Sequence, residues 1–450
     1  MARLSRRLVL VLFVALNSRV PAKSPQDAIP GAPLRLWARL PPDVQLYGTA
    51  DASFRLDRAA AIITAPKGTE RLRPRLGVNI HFLKDNRGLD LARDAGFSFV
   101  RMDLLWANLE KGGQYDFSSF DGLMRSLESR GMGVLWLLAY GHPEHGGESP
   151  QSEKDLAAYA RYTAAAVSHF RGHNAHFEIW NEPNGKQFLP NPSIYPKLLR
   201  ATLGEIRRRD PGAAVSTGGT SGFDFPFLTS ILESKSAQKA SAIAVHPYRE
   251  SAPETLAADL SRLRNVIRRT GGPNMPVWAT EWGYSSYGNP KDFPDGGHGD
   301  GARKRQAVLA GRECLTAWVL GLPVAVLYDL RDDGSNPFHR EDNFGLLDQD
   351  NGDKPAMRAV RALTGFARDH TYSGLIRDAP PGVHAMRLDG VDDIGFIVWN
   401  DDAKTRPHLR FLRNELLSVS NMCGEPVVAK RDEVVLEETV GPVYVRLKRR

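Results

Sequence analysis

Cysteine is almost missing from this chain: its 450 residues contain only Cys314 and Cys423. Two thiols cannot build a disulfide framework or a Cys-rich metal centre, and the sequence does not decide whether they pair. Strong charge of one sign is missing too. The formal net charge is +7. Taking away Arg3, Arg6, Arg7 and Arg19, four bases with no acid among residues 1–22, leaves +3. So small a surplus does not argue for nucleic acid. The terminal Lys448-Arg449-Arg450 reads as a solvated tail. No apolar run reaches the roughly 20 residues needed to span a bilayer. Nor does a glycine-rich phosphate loop follow the first core strand, GVNIHFLKDN. No repeat of solenoid type is visible.

What is present begins with a leader. Arg3, Arg6 and Arg7 precede LVLVLFVAL, and Val20-Pro21-Ala22 offers a small-residue cleavage site. Residues 1–22 therefore read as a signal peptide, with an uncleaved anchor as the alternative. Ser5-Arg6-Arg7 also matches a twin-arginine route at one short point. The mature protein is expected in the periplasm or outside the cell, without a membrane span and as a monomer. Its hydrophobic content of 42% and charged content of 25% are those of a soluble globular protein.

Residues 23–75 hold a Pro-rich stretch and the strand-like LRLWARL and SFRLDRAAAIIT. From residue 76 the texture changes. GVNIHF, FSFVRMDLLW, GVLWLLAY, FEIWN, AAVSTGG, SAIAVHPY, PVWATEW and VAVLYDL alternate with segments of helical spacing such as DLAAYARYTAAAVSHF and ETLAADLSRLRNVIRR. Eight strands separated by helices predict a (β/α)8 barrel over residues 76–370. From 371 to 450, VHAMRLDG, IGFIVWND, EVVLEE and VYVRLKRR alternate like antiparallel strands. They predict a sandwich-like accessory β-domain, which the N-terminal strands could complete.

In such a barrel the C-terminal ends of the strands share one mouth, where catalytic groups gather. Glu182 ends the fourth run and Glu281 the seventh. His246 and Tyr248 end the sixth, Arg101 and Asp103 lie in the second, and His81 closes the first. Strands four and seven face each other across a closed barrel, so two carboxylates there can flank an anomeric carbon. One must give the leaving oxygen a proton while the other attacks, so their environments must differ. Arg101 could hold one acid ionised through its charge, and His246 or Tyr248 could donate to the same group.

Phe177 to Asn184, FEIWNEPN, resembles the acid/base signature of the clan A glycoside hydrolases. With VRMDLLWANLE, SAIAVHPY, WATEWGY and DNFGLLDQDNGDKPA, the likeness extends over roughly residues 77–360. Within that clan the residues resemble glycoside hydrolase family 39 and the related endoglycosidases that cut biofilm exopolysaccharide. The resemblance implies Glu182 as general acid/base, Glu281 as nucleophile, and Asn181 on the sugar 2-hydroxyl. It implies Arg101 and Tyr248 orienting Glu281 and keeping it ionised, with His246 on the same side. One departure is Tyr328-Asp329-Leu330, where clan members often carry a tryptophan floor. Tyr328 could stack in its place.

Among the aromatics, Trp282 is the favoured sugar platform, with Trp106, Tyr140 and Tyr287 as further candidates, whereas Trp136 and Trp278 belong to the core. His81, His142 and His339 could meet hydroxyls or be plain rim residues. Each site residue also has a bland alternative: rim salt bridges for the glutamates, a structural ion pair for Arg101, a His-Pro-Tyr turn for His246 and Tyr248. Two metal-like patterns fail. Asp348 to Gly352 has its glycine one place early for a calcium loop, and Ala359 stands where the bidentate acid belongs. His142 and His145 lack the i, i+4 spacing of a zinc pair. No metal or cofactor is expected. The reading is a retaining, endo-acting β-glycosidase of a polysaccharide. The alternatives are an exo-acting β-xylosidase- or iduronidase-like enzyme and a non-catalytic carbohydrate-binding protein.

Overall fold

The computed structural model describes residues 37–38, 44–48 and 75–449, apart from 271, 273–274, 289, 377–378, 380–381, 401–406, 412–415, 430–432 and 436–440. The leader and the strand read in SFRLDRAAAIIT lie outside the described residues.

Eight parallel strands close into the expected barrel. In chain order they are β1 (Arg75–Asn79), β2 (Phe99–Leu105), β3 (Gly133–Ala139), β4 (Ala175–Asn181), β5 (Val215–Ser221), β6 (Ile243–His246), β7 (Val277–Trp282) and β8 (Val324–Leu327). β8 pairs back onto β1, Val324 opposite Arg75. The apolar runs are continuous because helices cover one face of each strand and interior side chains the other. All seven residues of β3 are buried.

The interior is layered. Phe99, Leu135, Ala242, Trp278, Val324 and Val326 form a separate apolar cluster. Phe99, Arg101 and Asp103 follow at every second position of β2, so they share its inward face. The barrel thus passes from an apolar plug through a charged layer to an open mouth.

Around the barrel lie α1 (Asn86–Asp94), α2 (Ser118–Glu128), α3 (Glu153–His169), α4 (Tyr195–Arg209), α5 (Phe225–Glu233), α6 (Leu256–Arg269), α7 (Asp300–Val319) and α8 (Pro355–Arg368). A capping box starts α3, where the Ser152 hydroxyl and the Asp155 carboxylate accept each other's backbone N–H. α6 presents Leu256, Leu260, Leu263 and Ile267 to the core at helical spacing. α7 is buried without a break from Gln306 to Trp318. It is wedged between the barrel and a second sheet, as the Trp318 and Tyr372 rings, 5.6 Å apart, show.

That sheet contains β9 (Thr371–Ile376), β10 (Val383–Asp389), β11 (Asp393–Asn400), β13 (Leu416–Ser420) and β15 (Val443–Lys448). Its antiparallel order is β9, β10, β11, β15, β13, and residues 37–38 join the β9 edge in parallel. A small sheet pairs residues 44–48 with β12 (Pro407–Phe411), and β12 in turn with β14 (Glu433–Val435). N-terminal strands thus do complete the accessory β-structure. Among the described residues no helix is long and apolar enough to cross a membrane.

Candidate active site

β4 carries the motif, and its geometry is unusual. Glu178 and Asn181 both reach Arg101 inside the barrel, although they are three positions apart and strict alternation would oppose them. Between them Trp180 adopts a left-handed φ of 72°, and Glu182 follows with φ of 41°. Such conformations cost of order 1–3 kcal/mol each and persist only where packing enforces them. Here Trp180 is fully buried, with its indole N–H donating to the Phe188 carbonyl at 3.1 Å and its ring 5.4 Å from that of Tyr159 on α3. The strand is anchored up to Trp180, and Glu182 emerges beside the pocket.

Arg101, 1% exposed, organises the charged layer. Its Nε donates to Glu178 at 2.8 Å. Nη1 donates to Glu281 at 2.7 Å and to Asn79 at 3.0 Å, and Nη2 to Asn181 at 3.0 Å. Burial pulls the guanidinium pKa down, but Glu178 and Glu281 outweigh it and the net shift is upward. Glu178 has no exposed surface and also accepts from the Gly219 N–H and the Thr280 hydroxyl, both at 2.8 Å. Burial pushes its carboxyl up, yet Arg101 and then His246 bring the pKa down from 4.5 to about 2.

Tyr248 donates to the second oxygen of Glu281 at 2.9 Å. His246 lies among three acids: its Nδ1 is 3.1 Å from Glu182 and 3.9 Å from Glu281, and its Nε2 is 3.5 Å from Glu178. Burial lowers the imidazole pKa, but Glu281, Glu178 and Glu182 raise it to about 9. Its Nδ1 faces Glu182 within hydrogen-bond distance, and its buried Nε2 has no hydrogen-bond partner among the described residues. The ring fits because residue 219 is glycine, where a Cβ would fall 2.2 Å from Nε2. One oxygen of Glu182 and one of Glu281 lie within 4.8 Å of each other.

A cavity of about 190 Å³ opens over these groups. Of the residues expected there, His81, Arg101, Tyr140, Asn181, Glu182, Tyr248, Glu281 and Tyr328 line it. His81 stands at the rim, its Nδ1 2.8 Å from Asp333 and its Nε2 3.0 Å from Asn79. Burial pulls it down, but Asp333 and Asp329 raise its pKa to about 9.

Three expectations fail. Trp282, the favoured platform, is wholly buried and packs near Tyr284, 6.4 Å between rings. Trp106 is equally buried, stacked between His145 and Tyr162, with its N–H on Glu110 at 2.5 Å. His142 is 3% exposed and bonds the Glu110 carbonyl at 3.2 Å. Strand-end position alone does not say whether a side chain turns inward to the mouth or outward to the helices. Phe344, which lies in the DNFGLL segment without having been singled out, and Phe188 line the pocket instead. Glu178 was missed as well; its one signal was an acid inside an apolar run.

Among the described residues, three clusters bring metal-ligand atoms within 4.8 Å of one another. In the first, of His142, Glu144 and His145, both His142 nitrogens are engaged by backbone. In the second, His81 is held by Asp333 and Asn79. The third is Glu182, His246 and Glu281, where the adjacent Arg101 opposes a cation. None is assigned a metal.

The sequence model of the family described as Cellulase (glycosyl hydrolase family 5) matches residues 73–301. A family 39 glycoside hydrolase from the gut symbiont Bacteroides cellulosilyticus WH2 superposes with a TM-score of 0.68 at 21% identity, over 84% of this chain and 81% of that one. A GH39 enzyme from Xanthomonas axonopodis pv. citri gives 0.61 at 18% identity, over 84% and 94%. A GH39 β-xylosidase from Caulobacter crescentus gives 0.60 at 16% identity, over 84% and 96%. At these identities the likeness is one of fold. No curated protein matches.

Proposed function

This chain belongs to the cellulase family, glycosyl hydrolase family 5, a clan A glycoside hydrolase, and from that premise we propose that it cleaves β-glycosidic bonds of a polysaccharide with retention. The observation that carries the reading is the gap of at most 4.8 Å between oxygens of Glu182 and Glu281. Retaining enzymes hold their carboxyl groups about 5–5.5 Å apart, whereas inverting ones leave about 6.5–9.5 Å for a water.

Glu281, held by Arg101 and Tyr248, attacks the anomeric carbon while Glu182 protonates the departing oxygen. The glycosyl ester on Glu281 then forms as the C–O bond breaks. Glu182 next takes a proton from water, whose oxygen attacks the same carbon and releases Glu281. His246 donates to the oxygen that carries the charge of Glu182 after its proton has left. Asn181, its carbonyl oxygen occupied by Arg101, keeps its amide N–H groups for the ring's 2-hydroxyl. Residues 76–370 carry this chemistry, and the leader at 1–22 directs the protein to the periplasm or beyond.

The test is Glu281→Ala with azide on an aryl β-glycoside. Activity should collapse, and azide should restore turnover by giving the inverted α-glycosyl azide. Unchanged activity without azide defeats the assignment. A second reading, exo action, is favoured by the cavity itself: about 190 Å³ suits one ring better than a chain of them. Release of single sugars from a polysaccharide would establish it, and mid-chain products would establish endo action.

A further inference from the structure

Most polar groups around the cavity are spent on one another. The Arg101 donors are taken by Glu178, Asn79, Glu281 and Asn181. His81 is taken by Asp333 and Asn79. Arg340 pairs with Glu250 at 3.1 Å and lies over the Phe344 ring at 5.2 Å. Asp103 is different. It lines the cavity, one inward step above Arg101 on β2 and opposite Leu137 of β3 in the register. Among the described residues it has no hydrogen-bond partner, and neither oxygen is sealed from the cavity space. Glu341 lines the same cavity, also without a hydrogen bond from a described residue.

An acceptor left open inside a largely enclosed site demands donors from whatever binds there. With Glu281 ionised at the ring, Asp103 and Glu341 beside it with their carboxyls pushed up by burial, and the nearby cations engaged, a sugar carboxylate would enter a cluster of acids with no free cation to receive it. Resting on the glycosidase reading above, we propose that Asp103 is a specificity-determining residue that receives hydroxyl donors of the sugar beside Glu281. It thereby restricts the site to neutral glycosides and excludes uronides. This disfavours the iduronidase-like alternative.

The test compares wild type and Asp103→Asn on 4-nitrophenyl β-xyloside, β-glucoside, β-glucuronide and the monodeoxy β-glucosides. Wild type should favour the neutral sugars over the glucuronide by about 100-fold in kcat/KM. Asp103→Asn keeps an acceptor but not its charge, and should lose about 10-fold on the parent glucoside, the difference between a charged and a neutral hydrogen bond. On the deoxy sugar lacking the contacted hydroxyl it should match wild type, which a merely structural role would not produce. An equal loss on every deoxy sugar, or a wild-type preference for the glucuronide, overturns the proposal. Should aryl glycosides turn over too slowly, calorimetric binding of glucose and glucuronic acid to Glu281→Gln reads the same discrimination, and equal affinities overturn it. Azide rescue of Glu281→Ala on the same glucoside separates the two claims. Its failure condemns the double displacement while leaving the deoxy-sugar pattern to judge Asp103.

Discussion

Replacing Glu178 with Gln should expose how the charged layer is held. Both carboxylate oxygens of Glu178 face donors only: Arg101 on one, the Gly219 N–H and the Thr280 hydroxyl on the other. A glutamine must turn its NH2 toward one of these, and the Arg101 side loses its ionic partner in either case. Breaking one side of a buried ion pair costs about 3–5 kcal/mol. The pH dependence carries a second signature. Lowering the carboxyl from 4.5 to about 2 corresponds to about 3 kcal/mol of folding free energy. Because the folded value lies below the unfolded one, that contribution is complete above 4.5 and is withdrawn as pH falls toward 2. Urea unfolding of wild type and Glu178→Gln at a series of pH values reads both effects. At pH 7 the variant should be weaker by about 3–5 kcal/mol, and the difference should shrink by about 3 kcal/mol on approach to pH 2. A gap below about 1 kcal/mol at pH 7, or one that stays constant through the acid range, would refute the reasoning.

Gly219→Ala would bring a methyl group within 2.2 Å of His246 and 2.7 Å of Thr280, so the imidazole must leave Glu182. Losing a charged hydrogen bond of about 1.5–3 kcal/mol should lower kcat about 10- to 150-fold in steady-state assays, and a change within about twofold would show the contact idle. Trp106→Phe should cost about 1–3 kcal/mol in thermal or urea unfolding, because the buried Glu110 carboxylate loses a donor. Its KM for glycosides should stay at the wild-type value, and a several-fold rise would return Trp106 to the sugar site.

The barrel was legible because each strand is apolar through most of its length and the breaks fall at Gly and Pro. Glu182, Glu281, Arg101 and Tyr248 were legible as polar residues at the ends or on the inward faces of those runs, and the fold gathers them around one cavity. What escaped is orientation. Trp282 directly follows Glu281 in the chain, yet one lies in the core and the other beside the cavity. The left-handed backbone at Trp180 alters the alternation of β4, and no composition rule announces it. Glu178 was invisible for a related reason: in a strand buried on both faces, period-two patterning vanishes, so an inward acid looks like an isolated exception. That His246 also reaches Glu182 was not legible, because the space for its ring is set by a glycine on the adjoining strand.

The small sheet joining residues 44–48 to 407–411 has a bearing on folding. The early strand finds its hydrogen-bonding edge only on residues 407–411, beyond the barrel and most of the accessory strands in the chain. Pairings so distant along the chain close slowly, and until then the early strand offers an unpaired edge to other molecules. Folding protein should therefore be most prone to aggregation in the interval between closing the barrel and docking the C-terminal strands. An N-terminal tag or an overlong trim there would be felt at the opposite end of the polypeptide.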